Sequence, residues 1–318
     1  MSAQADIEAD DDRDTTGLIS GRGMALELVN VTEAAALGAA RLIGKGRKED
    51  ADQAAVDGMR YALRSATMDG IVVIGEGEKD DAPMLYNGER IGDGSLPLVD
   101  IAVDPLEGTS LAARGMPNAL AVIALSPRGT MFDPGPCFYM HKIAGSAEIA
   151  DLLDLDRPLG ETLRLVAERK GVDVGDVTVV MLDKPRHAES VKAVYEVGAR
   201  VRFIPEGDVA GVLLAVTDDG RVDLLWGMGG TPEGVISAAA VKCVGGRMLG
   251  RLWPTSDAER QTAIDAGFDV DRVMTQDDLI VGNDCVFAAT GVTDGDLLEG
   301  VRYVSRGAAT TESLVMRS

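Results

Sequence analysis

Two rhythms of apolar residues alternate along this chain. In "LVNVTEAAALGAARLIG", Val31, Ala35 and Leu42 fall at helical spacing, with Thr32 as the expected N-cap. "KGRKEDADQAAVDGMRYALRSATM" reads as a polar loop feeding a second helix, with Val56, Met59 and Leu63 on one face. "GIVVIGEGEKDDAP" is a strand that breaks into glycines and acids. Val99-Asp100-Ile101-Ala102-Val103 alternates as a strand and is expected to stop at Asp104-Pro105. "ALAVIALSPRGTMFD" and "CFYMHKIAG" read as a hairpin around Pro127-Arg128-Gly129. The texture changes near Pro158. "RPLGETLRLVAERKG" has helical spacing, and strands and helices then alternate: "VTVVMLD" before "HAESVKAVYEVGA", "RVRFIP" before "GDVAGVLLAVT", "VDLLWGMGG" before "TPEGVISAAAVKCVGG". That is the βαβ rhythm of a layered domain.

The pattern predicts an α/β protein whose first half is α+β. Its expected parts are a disordered acidic tail over 1–23, an N-terminal α+β domain over 24–157 and a C-terminal α/β domain over 158–318, which the acids of the first and the basic pair of the second mark as metal-binding and substrate-binding respectively. The 318 residues suffice for one large core or two ordinary domains. Only 4% are aromatic, so Val, Ile, Leu, Ala and Met must build that core. A net charge of -21 disfavours nucleic acid and anionic membrane surfaces as partners. It leaves room for an anionic substrate, because a metal or a local basic cluster inverts the field inside a cleft. Cys137, Cys243 and Cys285 are scattered, with no CxxC pair, and read as reduced, buried residues of a cytoplasmic protein. No apolar run approaches the ~20 residues of a membrane span, and the acidic start lacks the apolar segment of a secretory signal.

The chemistry collects where strands end. Glu76 and Glu78 follow one strand, and Asp104, Glu107 and Thr109 follow the next in "VDIAVDPLEGTS". A charged turn would look similar in isolation. Two neighbouring strands that both end in glycine-framed acids instead bring like charges together, and these repel unless protonated or bridged by a cation. Oxygen-only ligands suit Mg²⁺ or Mn²⁺, and 2 histidines are too few for a histidine-rich zinc centre. Asp52 opens the second helix, where it would cap the helix or face the cleft, and Lys48 stands close before it. Glu233 has the same ambiguity in "GGTPEGV", with Thr231 as expected N-cap and Pro232 as the first helical residue. "LDKPRHAESV" sets Lys184 and Arg186 between a strand and a helix, a natural anion site. His187 beside them receives no role.

"DPLEGT" matches the signature of the metal-dependent, lithium-sensitive sugar phosphatase superfamily. With "VTEAAALGAARLIGKG", "VVIGEGEKDDAPMLY", "KPRH", "GDVAG", "GGTPEGV" and "ATGVTDGDLLEGV", the chain resembles class II fructose-1,6-bisphosphatase, in order from about Leu28 to the C-terminus. The resemblance implies a layered sugar-phosphatase fold, Mg²⁺ or Mn²⁺ as cofactor, and hydrolysis of the 1-phosphate of fructose 1,6-bisphosphate in the gluconeogenesis of a bacterial cytoplasm. It also implies a homodimer or homotetramer. It assigns metal binding to Asp52, Glu76, Asp104, Glu107 and Glu233. Thr109, hydrogen-bonded to an acid such as Asp52 and with Lys48 nearby, would orient the attacking water. Glu107, Gly108, Thr109, Tyr139, Lys184, Arg186, Glu206 and Asp208 would bind substrate. This chain departs from the family in having Glu206 where aspartate is common and Ser110 where a larger residue, often arginine, is common. The rival readings are a related phosphatase acting on sedoheptulose 1,7-bisphosphate, an inositol phosphate or a nucleotide phosphate, and a noncatalytic sugar-phosphate-binding regulator.

Overall fold

The computed structural model describes residues 22–77, 84–217 and 221–318. The strands are β1 (Asp69–Ile74), β2 (Arg90–Ile91), β3 (Leu98–Glu107), β4 (Leu120–Pro127), β5 (Tyr139–Gly145), β6 (Thr178–Leu182), β7 (Arg200–Ile204), β8 (Leu224–Gly230), β9 (Arg247–Leu252), β10 (Met274–Thr275), β11 (Val286–Gly291), β12 (Arg302–Ser305), β13 (Ala308–Thr310) and β14 (Ser313–Arg317). The helices are α1 (Arg22–Ala40), α2 (Lys48–Leu63), α3 (Thr109–Arg114), α4 (Leu159–Lys170), α5 (Ala188–Glu196), α6 (Asp208–Val216), α7 (Thr231–Val244), α8 (Asp257–Asp265) and α9 (Gln276–Leu279). One six-stranded sheet runs β14-β11-β4-β3-β1-β2 and a second runs β10-β9-β5-β8-β6-β7, while β12 and β13 form a separate hairpin.

Both sheets are mixed and buried on both faces, which is why their strands read as nearly continuous apolar runs. In β3, Ile101 and Val103 join the core under α1 and α2, while Ala102 points to the opposite core with α6 and α7. In the second sheet, Val180 faces that same central core, and Val179 and Met181 face α4. The result is five layers: α1 and α2, the first sheet, α6 and α7, the second sheet, then α4 and α5. The scarcity of aromatic residues fits this stacking. At Gly38 and Gly58, a Cβ would collide with the backbone carbonyls of Ala54 and Ala34, so glycine and alanine let α1 and α2 pack backbone to backbone.

The βαβ reading of β6-α5-β7-α6-β8 holds, because β6 pairs in parallel with both β7 and β8. Several local expectations are corrected. The β4 and β5 segments make no hairpin; each belongs to a different sheet, and Met131 in the connection bridges to distant Ile280. Nor does a single cut near residue 157 separate the sheets: β5 belongs to the second, and β11 and β14 return to the first. β3 continues through Pro105 to Glu107, because its register against β4 shifts between Asp104 and Glu107 and absorbs the missing N–H. Thr32 lies inside α1, not at its start, and its hydroxyl donates to Leu28 O and Val29 O. Asp52 lies a turn inside α2. Gly230, not Thr231, is the N-cap of α7, and the buried Thr231 hydroxyl finds no hydrogen-bond partner among the described residues. The acidic tail lies outside the described residues except at its end, where Gly23 is already helical. Among the described residues no helix is long and apolar enough to cross a membrane.

Candidate active site

The carboxyl ends of β1 and β3 and those of β6, β7 and β8 open onto one cleft between the sheets, the usual place for a ligand in α/β folds. It has two lobes, of about 600 and 540 Å³, which share Lys48, Asp104, Thr109, Phe138 and Glu233.

The first lobe gathers Asp52 from α2, Glu76 after β1, Asp104 near the end of β3, and Glu233 from the first turn of α7. Burial raises the pKa of each. For Glu76 it rises to about 7, with Asp52 adding repulsion. Asp104 is pushed well above the usual carboxylate range by burial and then by Glu76, Glu233 and Asp52. For Asp52, burial outweighs the attraction of Lys48. Glu107, at the end of β3 and 2% exposed, is raised by burial, by Asp104, by Asp208 and by Glu233. One oxygen each of Glu107 and Glu233 (Oε2 in both) is buried without a hydrogen-bond partner among the described residues. Glycines make this crowding possible: a Cβ at Gly230 would strike the Glu233 carboxylate, and Gly108 holds φ +79° between Glu107 and Thr109. Glu78 lies outside the described residues.

A set of hard, oxygen-only donors with unpartnered buried oxygens and mutual repulsion is what a divalent cation satisfies. The donor chemistry fits. The described residues hold no finished cluster of three or more such side chains, so an ion would have to draw the carboxylates inward.

The Thr109 hydroxyl donates to Leu106 O at 3.1 Å, so the expected bond from Thr109 to Asp52 is absent. Its proton is thereby committed, its lone pairs are left as acceptors, and the residue lines both lobes of the cleft.

The second lobe is lined by Glu107, Gly108, Tyr139, Lys184, Arg186, Glu206 and Asp208. Arg186 Nε and Nη2 donate to Met228 O at 3.0 and 2.8 Å, and its guanidinium lies 5.1 Å from the centre of the Tyr139 ring. Nη1 remains for an anion, with the second proton of Nη2 beside it. His187 has a structural part that the sequence did not suggest. It is buried, its Nε2 accepts from Met228 N at 2.8 Å, and its Nδ1 faces Leu182 O at 2.8 Å. Because a backbone N–H can only donate, the proton of neutral His187 sits on Nδ1. Burial lowers its pKa, which favours this neutral form. The segment Lys184–His187 is thus clamped onto both backbone groups of a single β8 residue, Met228.

Glu206 accepts from Ser110 N at 3.2 Å, so two residues 96 positions apart meet at the cleft. Glu107 Oε1 accepts from Val209 N at 3.0 Å and ties β3 to the start of α6. The sequence reading also missed Lys142. Its signal is parity: Met140, Lys142 and Ala144 share one face of β5, and the flanking two enter the central core.

The family model for bacterial fructose-1,6-bisphosphatase, glpX-encoded, matches residues 22–318. The chain belongs to this family. Among its relatives, the class 2 fructose-1,6-bisphosphatase of Haemophilus influenzae is 44% identical over 309 residues, covering 93% of this chain and 92% of the relative. Fructose-1,6-bisphosphatase 1 class 2 of Escherichia coli K12 is 41% identical, covering 93% and 91%. The segments that carried the resemblance, from "VTEAAALGAARLIGKG" to "ATGVTDGDLLEGV", all lie within the matched residues.

Proposed function

We propose that this enzyme is a metal-dependent phosphatase that hydrolyses the 1-phosphate of fructose 1,6-bisphosphate, releasing fructose 6-phosphate and inorganic phosphate. The observation that carries the reading is a cleft with uncompensated acids at one end and Lys184 and Arg186 at the other, with Thr109 between. Membership in the fructose-1,6-bisphosphatase family supports the substrate.

Asp52, Glu76, Asp104, Glu107 and Glu233 would hold Mg²⁺ or Mn²⁺. A bound ion of this kind neutralises phosphate charge, lowers the pKa of a bound water and stabilises the leaving oxygen. The chain's own part is positioning, which is most of what phosphoryl transfer asks of a protein. Thr109 Oγ, its proton committed to Leu106 O, accepts a hydrogen bond from the attacking water and turns a lone pair of that water toward phosphorus. Lys48, at the first turn of α2, offers a cation to the reacting phosphate. As the water oxygen bonds to phosphorus, the bond from phosphorus to the sugar C1 oxygen breaks. One of the water's two protons reaches that departing oxygen through solvent and makes it the C1 hydroxyl, and the other stays on the phosphate released. Lys184 and Arg186 hold the remote phosphate, and Asp208 and Glu206 accept from sugar hydroxyls. Binding energy from the remote end is thereby used to align the reacting one.

The test is phosphate release from fructose 1,6-bisphosphate with Mg²⁺, with Mn²⁺ and with chelator. Turnover with either ion and none in chelator is expected. Full turnover in metal-free buffer would sink the mechanism, and a preference for sedoheptulose 1,7-bisphosphate or an inositol phosphate would reassign the substrate.

A further inference from the structure

Lys142 is the one buried Lys or Arg among the described residues, with 1% of its surface exposed in the middle of β5. A buried ammonium is costly unless it is paired and hydrogen-bonded. Here Nζ forms an ion pair with Asp208 Oδ2, the first residue of α6, and donates to Gly230 O, the N-cap residue of α7, at 2.8 Å. The backbone is shaped around that contact. At Gly229 a Cβ would overlap Asp208 Oδ2 and lie 3.1 Å from Lys142 Nζ, and at Gly234 it would lie 3.3 Å from Lys142 Cδ. Two helices that open onto the cleft are therefore joined through one side chain, and no hydrogen bond among the described residues engages Asp208 Oδ1.

We infer that Lys142 is a positioning residue for the sugar: it fixes the rotation of the Asp208 carboxylate through Oδ2 so that Oδ1 is presented to a hydroxyl of the fructose moiety. Lys142 does not touch substrate. It acts from behind, and its tie to Gly230 O keeps the glycine pair of β8 at the distance that the presentation needs. The inference rests on the reading of Asp208 as a sugar contact given under Proposed function.

The experiment compares Lys142→Met, Asp208→Leu and the double variant by calorimetric binding of two probes, fructose 6-phosphate and inorganic phosphate, with melting temperature recorded for each. Lys142→Met should weaken fructose 6-phosphate about tenfold or more, the scale of a lost hydrogen bond to a charged group, and leave phosphate affinity within about twofold of the parent. A merely structural role would weaken both probes alike, and that result overturns the inference. If the unpaired Asp208 keeps Lys142→Met from folding, the double variant decides, since replacing both members of a buried pair by apolar groups is tolerated far better than removing one. Equal fructose 6-phosphate affinity in the double variant and in Asp208→Leu is expected. A further loss of more than about threefold would mean that Lys142 contacts sugar itself. If Asp208→Leu alone leaves fructose 6-phosphate affinity unchanged, the assignment of Asp208 fails and takes the role of Lys142 with it. A loss on Asp208→Leu with none on Lys142→Met sinks only the latter.

Discussion

On the first-sheet side of the cleft, Asp52, Glu76 and Asp104 face one another with Lys48 as the nearby cation, and burial and repulsion raise all three. On the second-sheet side, Asp208 is paired with Lys142, Arg186 is bonded to the carbonyl and His187 to the N–H of Met228, and Glu206 holds Ser110 N. The two walls use similar residues in opposite states. One side is internally satisfied and preorganised. The other is left electrostatically incomplete, so the folded chain spends stability to keep carboxylates where a bound proton or an external cation relieves them. Glu107 belongs to both sides: Oε1 is bonded to Val209 N and Oε2 has no partner among the described residues.

The largest break in this contrast is Asp104→Asn. The amide keeps the shape and the oxygen that accepts from Leu106 N at 3.0 Å, and it removes one charge from the crowded wall. Loss of a ligand proposed to hold the ion should lower kcat by about 10³-fold or more, given the several kcal/mol a catalytic metal supplies. Stability should move the other way. The chelated variant should melt a few degrees above the chelated parent, because a source of repulsion is gone. Steady-state kinetics and calorimetry on the same preparations check both. Coincident losses of activity and of melting temperature would mean that Asp104 is part of the scaffold.

Next in size is Arg186→Ala, which acts on the satisfied wall. Replacing it frees Met228 O and removes the cation proposed for the remote phosphate. A charge-assisted contact of roughly 1.5–3 kcal/mol corresponds to about 10–150-fold in kcat/KM for fructose 1,6-bisphosphate. A monophosphate that carries only the scissile group should lose much less. Arg186→Lys should rescue only in part, because an ammonium cannot both hold Met228 O and present the end of a planar fork. Equal losses on both substrates would place Arg186 with the reacting phosphate.

The incomplete wall was more legible in the sequence than the satisfied one. Strands that end in glycine-framed acids announce themselves locally, as at Glu76 and at Asp104 and Glu107. The satisfied wall is made of pairs distant in sequence, such as Ser110 with Glu206 and Lys142 with Asp208, and local pattern carries no trace of a partner 96 or 66 residues away. Lys142 was readable only as a charged residue on the inward parity of a strand. The false hairpin of β4 and β5 has the same origin: the turn residues after β4 are real, but the next strand pairs with β8 and β9. At Pro105 the local rule was sound, and a register shift in tertiary pairing overrode it.

The smallest effect sharpens the contrast through pH. Glu76 is raised from 4.5 to about 7, so across that window the folded chain binds more protons at this site than the unfolded one. Stability must then fall as pH rises through it. The histidines, His187 buried and His141 half-buried, act with the opposite sign. His141 is lowered from 6.5 to about 4, mainly by burial and next by Arg251, so its contribution is present above 6.5 and is lost as pH falls toward 4. Below about pH 6.5 the two trends oppose each other; above it the carboxylates act alone, with Asp104, Glu107 and Glu233 raised in the same direction as Glu76. The chelated protein should therefore lose a few degrees of melting temperature between pH 6.5 and 8, at no more than about 1.4 kcal/mol per pH unit for each proton released. Glu76→Gln should flatten that slope. Saturating Mn²⁺ should abolish or reverse it, because the ion binds the deprotonated carboxylates and its stabilisation grows as they ionise. A chelated protein whose melting temperature stays level or climbs from pH 6.5 to 8 would mean that the acid wall is solvated and relaxed, and the contrast between the two sides would fail.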